Sequence, residues 1–310
     1  MFEYKESREI GPAAAFFILM GLFIAGVVIG SMMGGVVWMG LTGRKLTTLM
    51  KDLSNPQYAN AARIMQLVSV FFTLLVPSIV GAIVVNRKPF KWLGFTQSVN
   101  IRQVGVALLI LFACMPVVAA LTELNAAIPI SKSLESTFKE WESSYETQVQ
   151  AMATINTVGE FIFSLLILAL VPAIFEEAFF RGSLQQILQK WFKSPIWAIV
   201  VASIIFSVIH FSYYGFLARF GLGVVLGLLF YYSKSLWPSI IAHFLNNAFL
   251  VSYMYYLSRQ GILIKNIKEP SAPIWIGIPA LLVVIVLMRY YKRISEQRLP
   301  PPQQSEHSLF

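Results

Sequence analysis

Two glutamates, an arginine and two histidines interrupt stretches that are otherwise apolar enough to cross a membrane. They lie in Phe175-Glu176-Glu177-Ala178-Phe179-Phe180-Arg181, Phe206-Ser207-Val208-Ile209-His210 and His243-Phe244-Leu245-Asn246-Asn247. A charged group at bilayer depth costs about 2.5 to 3.5 kcal/mol on insertion scales, so such residues persist mainly where they pair, line a wet cavity or do chemistry. Residues four apart on a helix share a face. That rule sets Glu177 over Arg181, Glu176 over Phe180, Phe206 over His210 and His243 over Asn247, so three helices would each turn one polar face toward a common cavity.

Adjacent carboxylates in a low dielectric do not readily both stay charged without a cation, which makes Arg181 the expected partner of Glu177 and leaves Glu176 for another role. A desolvated glutamate beside a histidine suits a general base acting on water. A second histidine with an asparagine offers donors for the oxyanion of a tetrahedral intermediate. Water attack on an acyl carbon is the reaction this set fits. Each piece alone also has a structural reading. Glu177 with Arg181 could simply be a buried ion pair, intramembrane histidines often make interhelical hydrogen bonds, Asn246 and Asn247 could be interhelical glue, and Phe206 could be packing. Their joint occurrence on three helices favours a site.

The elements that must position these residues are membrane helices. The chain is 57% apolar and 13% charged over 310 residues, with a strongly positive mean hydropathy, beyond what a soluble core of that size normally carries. Runs near 12–40, 64–86, 104–124, 156–176, 195–212, 215–233, 236–257 and 273–291 approach the roughly 20 residues a span needs. The expectation is an all-α polytopic bundle of about eight helices. It would form one domain over 1–295, with its polar core at about 155–255 and a disordered, proline-rich tail at 296–310. Gly26, Gly30, Gly34 and Gly35 in the first run permit close helix contact. Lys88 to Phe95 mixes lysines with aromatics and reads as a headgroup-level anchor. The segment 125–155 is the longest hydrophilic insertion and is net acidic. Glu123 and Glu160 read as boundary residues.

The net charge of +9 is spread over short loops and the tail without a basic block, which suits lipid headgroups and argues against nucleic acid. Cys114 is the only cysteine, which excludes an intrachain disulfide and any cysteine-based metal cluster. If the acidic insertion lies outside and eight spans follow one another, both termini are cytoplasmic. A modest majority of the 24 basic residues then falls inside, although Arg44, Lys45, Lys51 and Arg63 fall outside.

The three segments resemble the signatures of the CPBP family of intramembrane proteases, the Abi or CAAX-protease-and-bacteriocin-processing group that includes the type II CAAX prenyl endopeptidases. That pattern runs Glu-Glu-x-x-x-Arg, Phe-x-x-x-His, His-x-x-x-Asn/Asp on successive membrane helices, and all three parts stand here in order. The resemblance covers roughly 155–255. It implies that Glu176 activates the hydrolytic water with help from His210, that His243 and Asn247 stabilise the oxyanion, and that Glu177 and Arg181 support the geometry. The family has been called metalloprotease, and a metal-free glutamate mechanism is also proposed for it. No His-Glu-x-x-His helix is present. The metal-free mechanism is favoured, with zinc held by Glu176, His210 and His243 as the alternative.

The leading expectation is therefore an integral-membrane endopeptidase. Its substrate would be a peptide or protein at the membrane, with or without a prenylated CAAX-type tail. The expected location is a prokaryotic plasma membrane. The competing readings are a noncatalytic scaffold or immunity protein of the same fold, and a transporter using the carboxylates and histidines as a proton relay. No internal inverted repeat supports the transporter.

Overall fold

The structure is a computed structural model that describes residues 7–53, 55–261 and 271–297. The tail beyond Gln297, including His307, lies outside the described residues, so the expected disorder there has no structural counterpart. The described chain is helical, with no strand beyond a single bridge between Ser7 and Asn86. The long helices are α1 (Pro12–Thr42) and α2 (Pro56–Val85), then, after short α3 (Pro89–Leu93), α4 (Ile101–Ala127). Next come α5 (Lys132–Ala153), α6 (Val158–Phe192) and α7 (Pro195–Val208). The chain ends through α8 (Phe216–Ser233), α9 (Trp237–Arg259) and α10 (Ile274–Glu296).

Six of these, α1, α2, α4, α6, α8 and α10, are long and apolar enough to cross a membrane, so the protein is an integral-membrane helical bundle. Helices also stand at the other two expected runs, but α7 has only 14 residues and α9 falls short in apolar character. The count of eight spans is thus not established. α6 runs on to Phe192, well past the expected end at 176. Its polar residues Arg181, Ser183 and Gln185 are buried, so sequence hydropathy ends the run where burial against the bundle does not.

Two of the long helices with an internal proline, α2 and α6, widen just before it, whereas α4 and α10 carry Pro116 and Pro279 without such a turn. α2 is π-helical over Phe71–Leu75 ahead of Pro77, and α6 over Leu165–Leu170 ahead of Pro172. Proline donates no hydrogen bond and its ring crowds the carbonyl four residues back, so a wider turn relieves the clash without breaking the helix. α1 crosses α2 on the glycine face read from the sequence. A Cβ on Gly26 would run into the Phe72 carbonyl, and one on Gly30 would come 2.6 Å from that of Ser69. The absent side chains also let the Ser69 hydroxyl donate to the Gly30 carbonyl at 3.1 Å. Cys114 is buried in the apolar core shared by α4, α8 and α10.

The hydrophilic insertion forms a helix, α5, where the sequence reading stopped at its charge. Ser131 caps it by accepting from the Leu134 amide, and Leu134, Phe138, Trp141, Tyr145, Val149 and Met152 recur at helical spacing. Its carboxyl end is pinned by Arg63, whose fully buried guanidinium donates to the carbonyls of Met152 (2.8 Å) and Thr154 and to Asn60. Arg63 is thus an internal cap on α5. Nearby, Arg44 pairs with Asp52 at 3.0 Å, and its hydrogen bond, with that of Thr48, holds the Asp52 carboxyl below the usual carboxylate range.

Arg63→Ala should uncouple α5 from α2 and leave two buried carbonyls without donors, a loss of about 2–4 kcal/mol. Thermal unfolding in detergent measures it. An unchanged melting temperature would show that apolar contacts alone hold α5.

Candidate active site

Glu176 and Glu177 stand near the middle of α6, where it passes from an α-turn into a second π-helical stretch over Ala178–Gln185. The side chains of this stretch are buried throughout. Arg181 and Gln185 reach across to α8, where their side chains donate to the carbonyls of Gly223 at 3.2 Å and Gly227 at 3.1 Å. Only residues without a side chain allow this approach. A Cβ on Gly227 would lie 2.9 Å from the Gln185 amide oxygen.

The two carboxylates have different surroundings. Glu177 is completely buried, and its Oε1 accepts from Arg181 Nη1 at 2.7 Å and from His243 Nδ1 at 2.9 Å. Ser239, one turn before His243 on α9, faces the same carboxylate. Glu176 keeps 16% of its side-chain exposure, and its Oε2 lies 3.7 Å from His243 Nε2. His243 therefore sits between the two acids, with one ring nitrogen toward each. Since a carboxylate ligated by Arg181 can only accept, His243 Nδ1 carries a proton, and Nε2 is the edge presented to Glu176.

His210 follows the last turn of α7. Its Nδ1 lies 2.7 Å from the Phe206 carbonyl, which can only accept, so the proton is on Nδ1 and Nε2 keeps its lone pair. Phe206 is the hub that brings the helices together. Its ring centroid is 5.0 Å from that of His210, 6.0 Å from that of His243 and 5.1 Å from that of Phe180. The Arg181 guanidinium lies 4.9 Å from the same centroid, a cation–π contact between two buried side chains.

The residues singled out in the sequence are joined unevenly. Glu177, Arg181 and His243 form one hydrogen-bonded cluster, with Glu176 beside it and Phe206 packed against it. No hydrogen bond joins Glu176 to His210. Asn247 lies one turn beyond His243 and accepts from the Asn246 amide at 3.4 Å. Sequence reasoning missed Ser239 and the glycine carbonyls of α8. It also missed Asn125, near the end of α4, whose side chain donates to the Tyr213 carbonyl at 3.0 Å and accepts from the Leu217 amide at 3.1 Å. Asn125 braces the turn that carries His210, and its only signal was a buried amide at a helix end.

Zinc needs nitrogen and oxygen ligands at about 2.0–2.2 Å. Among the described residues no group of three histidine, cysteine or acidic side chains is placed to hold an ion. Glu176 and His243 approach each other, but the only hydrogen bond of the His210 ring is to Phe206. The residues as they stand do not meet the geometry of a zinc site.

Residues 158–249 match a family model described as type II CAAX prenyl endopeptidase Rce1-like. The matched segment contains all three motifs, and it supports assignment of the chain to the CPBP, or CAAX protease, family. At the level of that family, the match supports a membrane protease with a peptide or protein substrate. No curated protein and no solved structure matches the chain.

Arg181→Ala would strand the Glu177 carboxylate in a buried place, and should cost about 3–5 kcal/mol. Adding Glu177→Gln should recover part of that loss. Additive losses in a double-mutant cycle, read from unfolding in detergent, would mean that the pair does not couple.

Proposed function

We propose that this chain is an intramembrane endopeptidase in which Glu176 activates a water for attack on a peptide carbonyl. The observation that carries this reading is the division of labour between two adjacent carboxylates. Glu177 is fully buried and committed to Arg181 and His243, whereas Glu176 is partly open and one ring edge away from His243. A water on that open side can lose its proton to Glu176 while its oxygen bonds to the carbonyl carbon. His210, with Nε2 bare, accepts a hydrogen bond from the same water and fixes its lone pair.

The tetrahedral intermediate places negative charge on the former carbonyl oxygen. Donors for it are the Asn247 amide and the Nε2–H of a doubly protonated His243 ring, whose Nδ1–H is anchored by Glu177. Collapse of the intermediate breaks the C–N bond, and Glu176 returns its proton to the leaving amine. Glu177 and Arg181 do not touch the substrate here. They hold His243 and the helix that carries Glu176.

The substrate class is a membrane-associated peptide or protein, with prenylated CAAX-type tails as one candidate. We place the protein in a prokaryotic plasma membrane with both termini in the cytoplasm. In support, Arg63, one of the basic residues that fall on the outer side in that arrangement, is committed inside the bundle as the cap of α5.

Glu176→Gln should lower cleavage of membrane-anchored and prenylated peptides by about 10²–10⁴-fold, the usual contribution of a positioned base. Its melting temperature should stay close to that of the wild type, because no hydrogen bond to the side chain is lost. Cleavage by the purified wild type should survive a strong zinc chelator. Loss with chelator and recovery with zinc would replace the glutamate mechanism by a metal one, and full activity of Glu176→Gln would remove Glu176 from the chemistry. Asn247→Ala should lower turnover by about 10²–10³-fold with little change in KM, as for loss of an oxyanion donor.

A further inference from the structure

Helix α7 covers only about 21 Å at 1.5 Å per residue, short of the roughly 30 Å hydrocarbon core. The turn after it, residues 209–215, therefore ends α7 at bilayer depth, where irregular backbone is tolerated only if protein covers it or it lines water. The turn reverses sharply, with Phe211 at a φ of 48°, an unusual value for a bulky residue. His210 opens this turn, so whatever covers the turn lies beside a residue of the candidate site.

The cover is α5. Phe138 stacks on Tyr213, with centroids 4.4 Å apart and rings 7° from parallel, and Trp141 meets the Phe211 ring edge-on at 5.6 Å. The Ser212 hydroxyl donates to the Glu142 carboxylate at 3.0 Å and accepts from Arg219 Nη2 at 3.2 Å. The two halves of α5 are held very differently. At the carboxyl end Ala151, Ala153 and Ile155 are buried, Arg63 caps the helix, and Ser258 ties Ala153 and Ile155 to α9. The amino-terminal half stays open even on its apolar face, where Leu134 is 50% and Trp141 41% exposed.

We infer that α5 is a strap over the site, latched by Phe138, Trp141 and Glu142 on the 211–213 turn, and that it must lift for a substrate chain to reach Glu176. This inference rests on the protease reading only for the identity of what passes beneath. The turn does not depend on the latch for its shape, because Asn125 and Arg219 brace it from α4 and α8. Lifting the strap therefore leaves His210 in place. The four residues 128–131 between α4 and α5 span at most about 13 Å when extended. That short connection tethers the amino end of α5 to α4 while it lifts.

The test joins the strap to the turn. In a Cys114→Ala background, Phe138→Cys with Tyr213→Cys is bridged by a short bismaleimide, and cleavage of a membrane-anchored peptide is measured before and after. The unbridged protein should cleave within about twofold of wild type and the bridged protein at least about tenfold more slowly, as expected for blocking an obligatory opening. Undiminished turnover after bridging overturns the strap. A second arm needs no turnover. His210→Cys is labelled with a polar maleimide, with the latch intact or loosened by Phe138→Ala and Trp141→Ala. Labelling should be about tenfold faster with the latch loosened, as for a rare open state made common, and an equal rate overturns the strap. Absence of cleavage by the wild type would count against the protease reading alone, and the labelling arm would still decide the strap.

Discussion

The arrangement depends on one buried cluster, the Glu177 carboxylate held between Arg181 and His243. Burying a carboxylate and a guanidinium in a low dielectric is costly, and the cost is offset only when geometry is good and the remaining donors find acceptors. Here Arg181 uses one nitrogen on Glu177 and another on the Gly223 carbonyl, and rests against Phe206. One ion pair therefore ties α6 to α8, α9 and, through the phenylalanine ring, α7. Glu177 and Arg181 share α6, so the pair survives a movement of its neighbours, but moving α8 or α9 would cost Arg181 the Gly223 carbonyl or Glu177 the His243 ring, and the cluster thereby fixes the register of α6 against both.

That same dependence explains what the sequence could and could not reveal. Glu177 with Arg181 was legible because four residues make a helical turn. Its bond to His243 crosses 66 residues of chain and was not, although both residues stood out as polar groups in apolar runs. The division between a committed Glu177 and an available Glu176 followed from charge alone. The placing of His243 between them needed coordinates, since nothing in a helical repeat states which ring nitrogen faces which helix. Asn125, Ser212 and Ser239 stayed invisible for a different reason. Each looks like an ordinary polar residue at a helix end, and its role lies in a partner on another element.

The fold shows the same pattern. Apolar runs located the long helices, while the widened turns ahead of Pro77 and Pro172 became visible only in the structure. The apolar run at the start of α6 ends near 176 while the helix continues to Phe192, its polar groups Arg181 and Gln185 satisfied by α8. Glu160 behaved as a boundary residue should, closing a capping box with Thr157 at the start of α6. α5 carried a clear helical repeat of aromatic and aliphatic residues, but its acidic composition drew attention first. Arg63, counted as a loop charge on the wrong face, turned out to be the cap of that helix.

The crossing of α1 and α2 uses up the glycine stripe of α1. A stripe of small residues on a membrane helix is commonly where a second copy docks, but Gly26, Gly30 and Gly34 are already filled by the backbone and side chains of Met65, Ser69, Phe72 and Thr73. The opposite side of α1 offers Phe17, Ile24, Val28, Met32 and Val36 to the surroundings, a surface of bulky side chains that acyl chains cover as well as protein would. The glycine stripe is complete within a single chain and needs no neighbour to shield it.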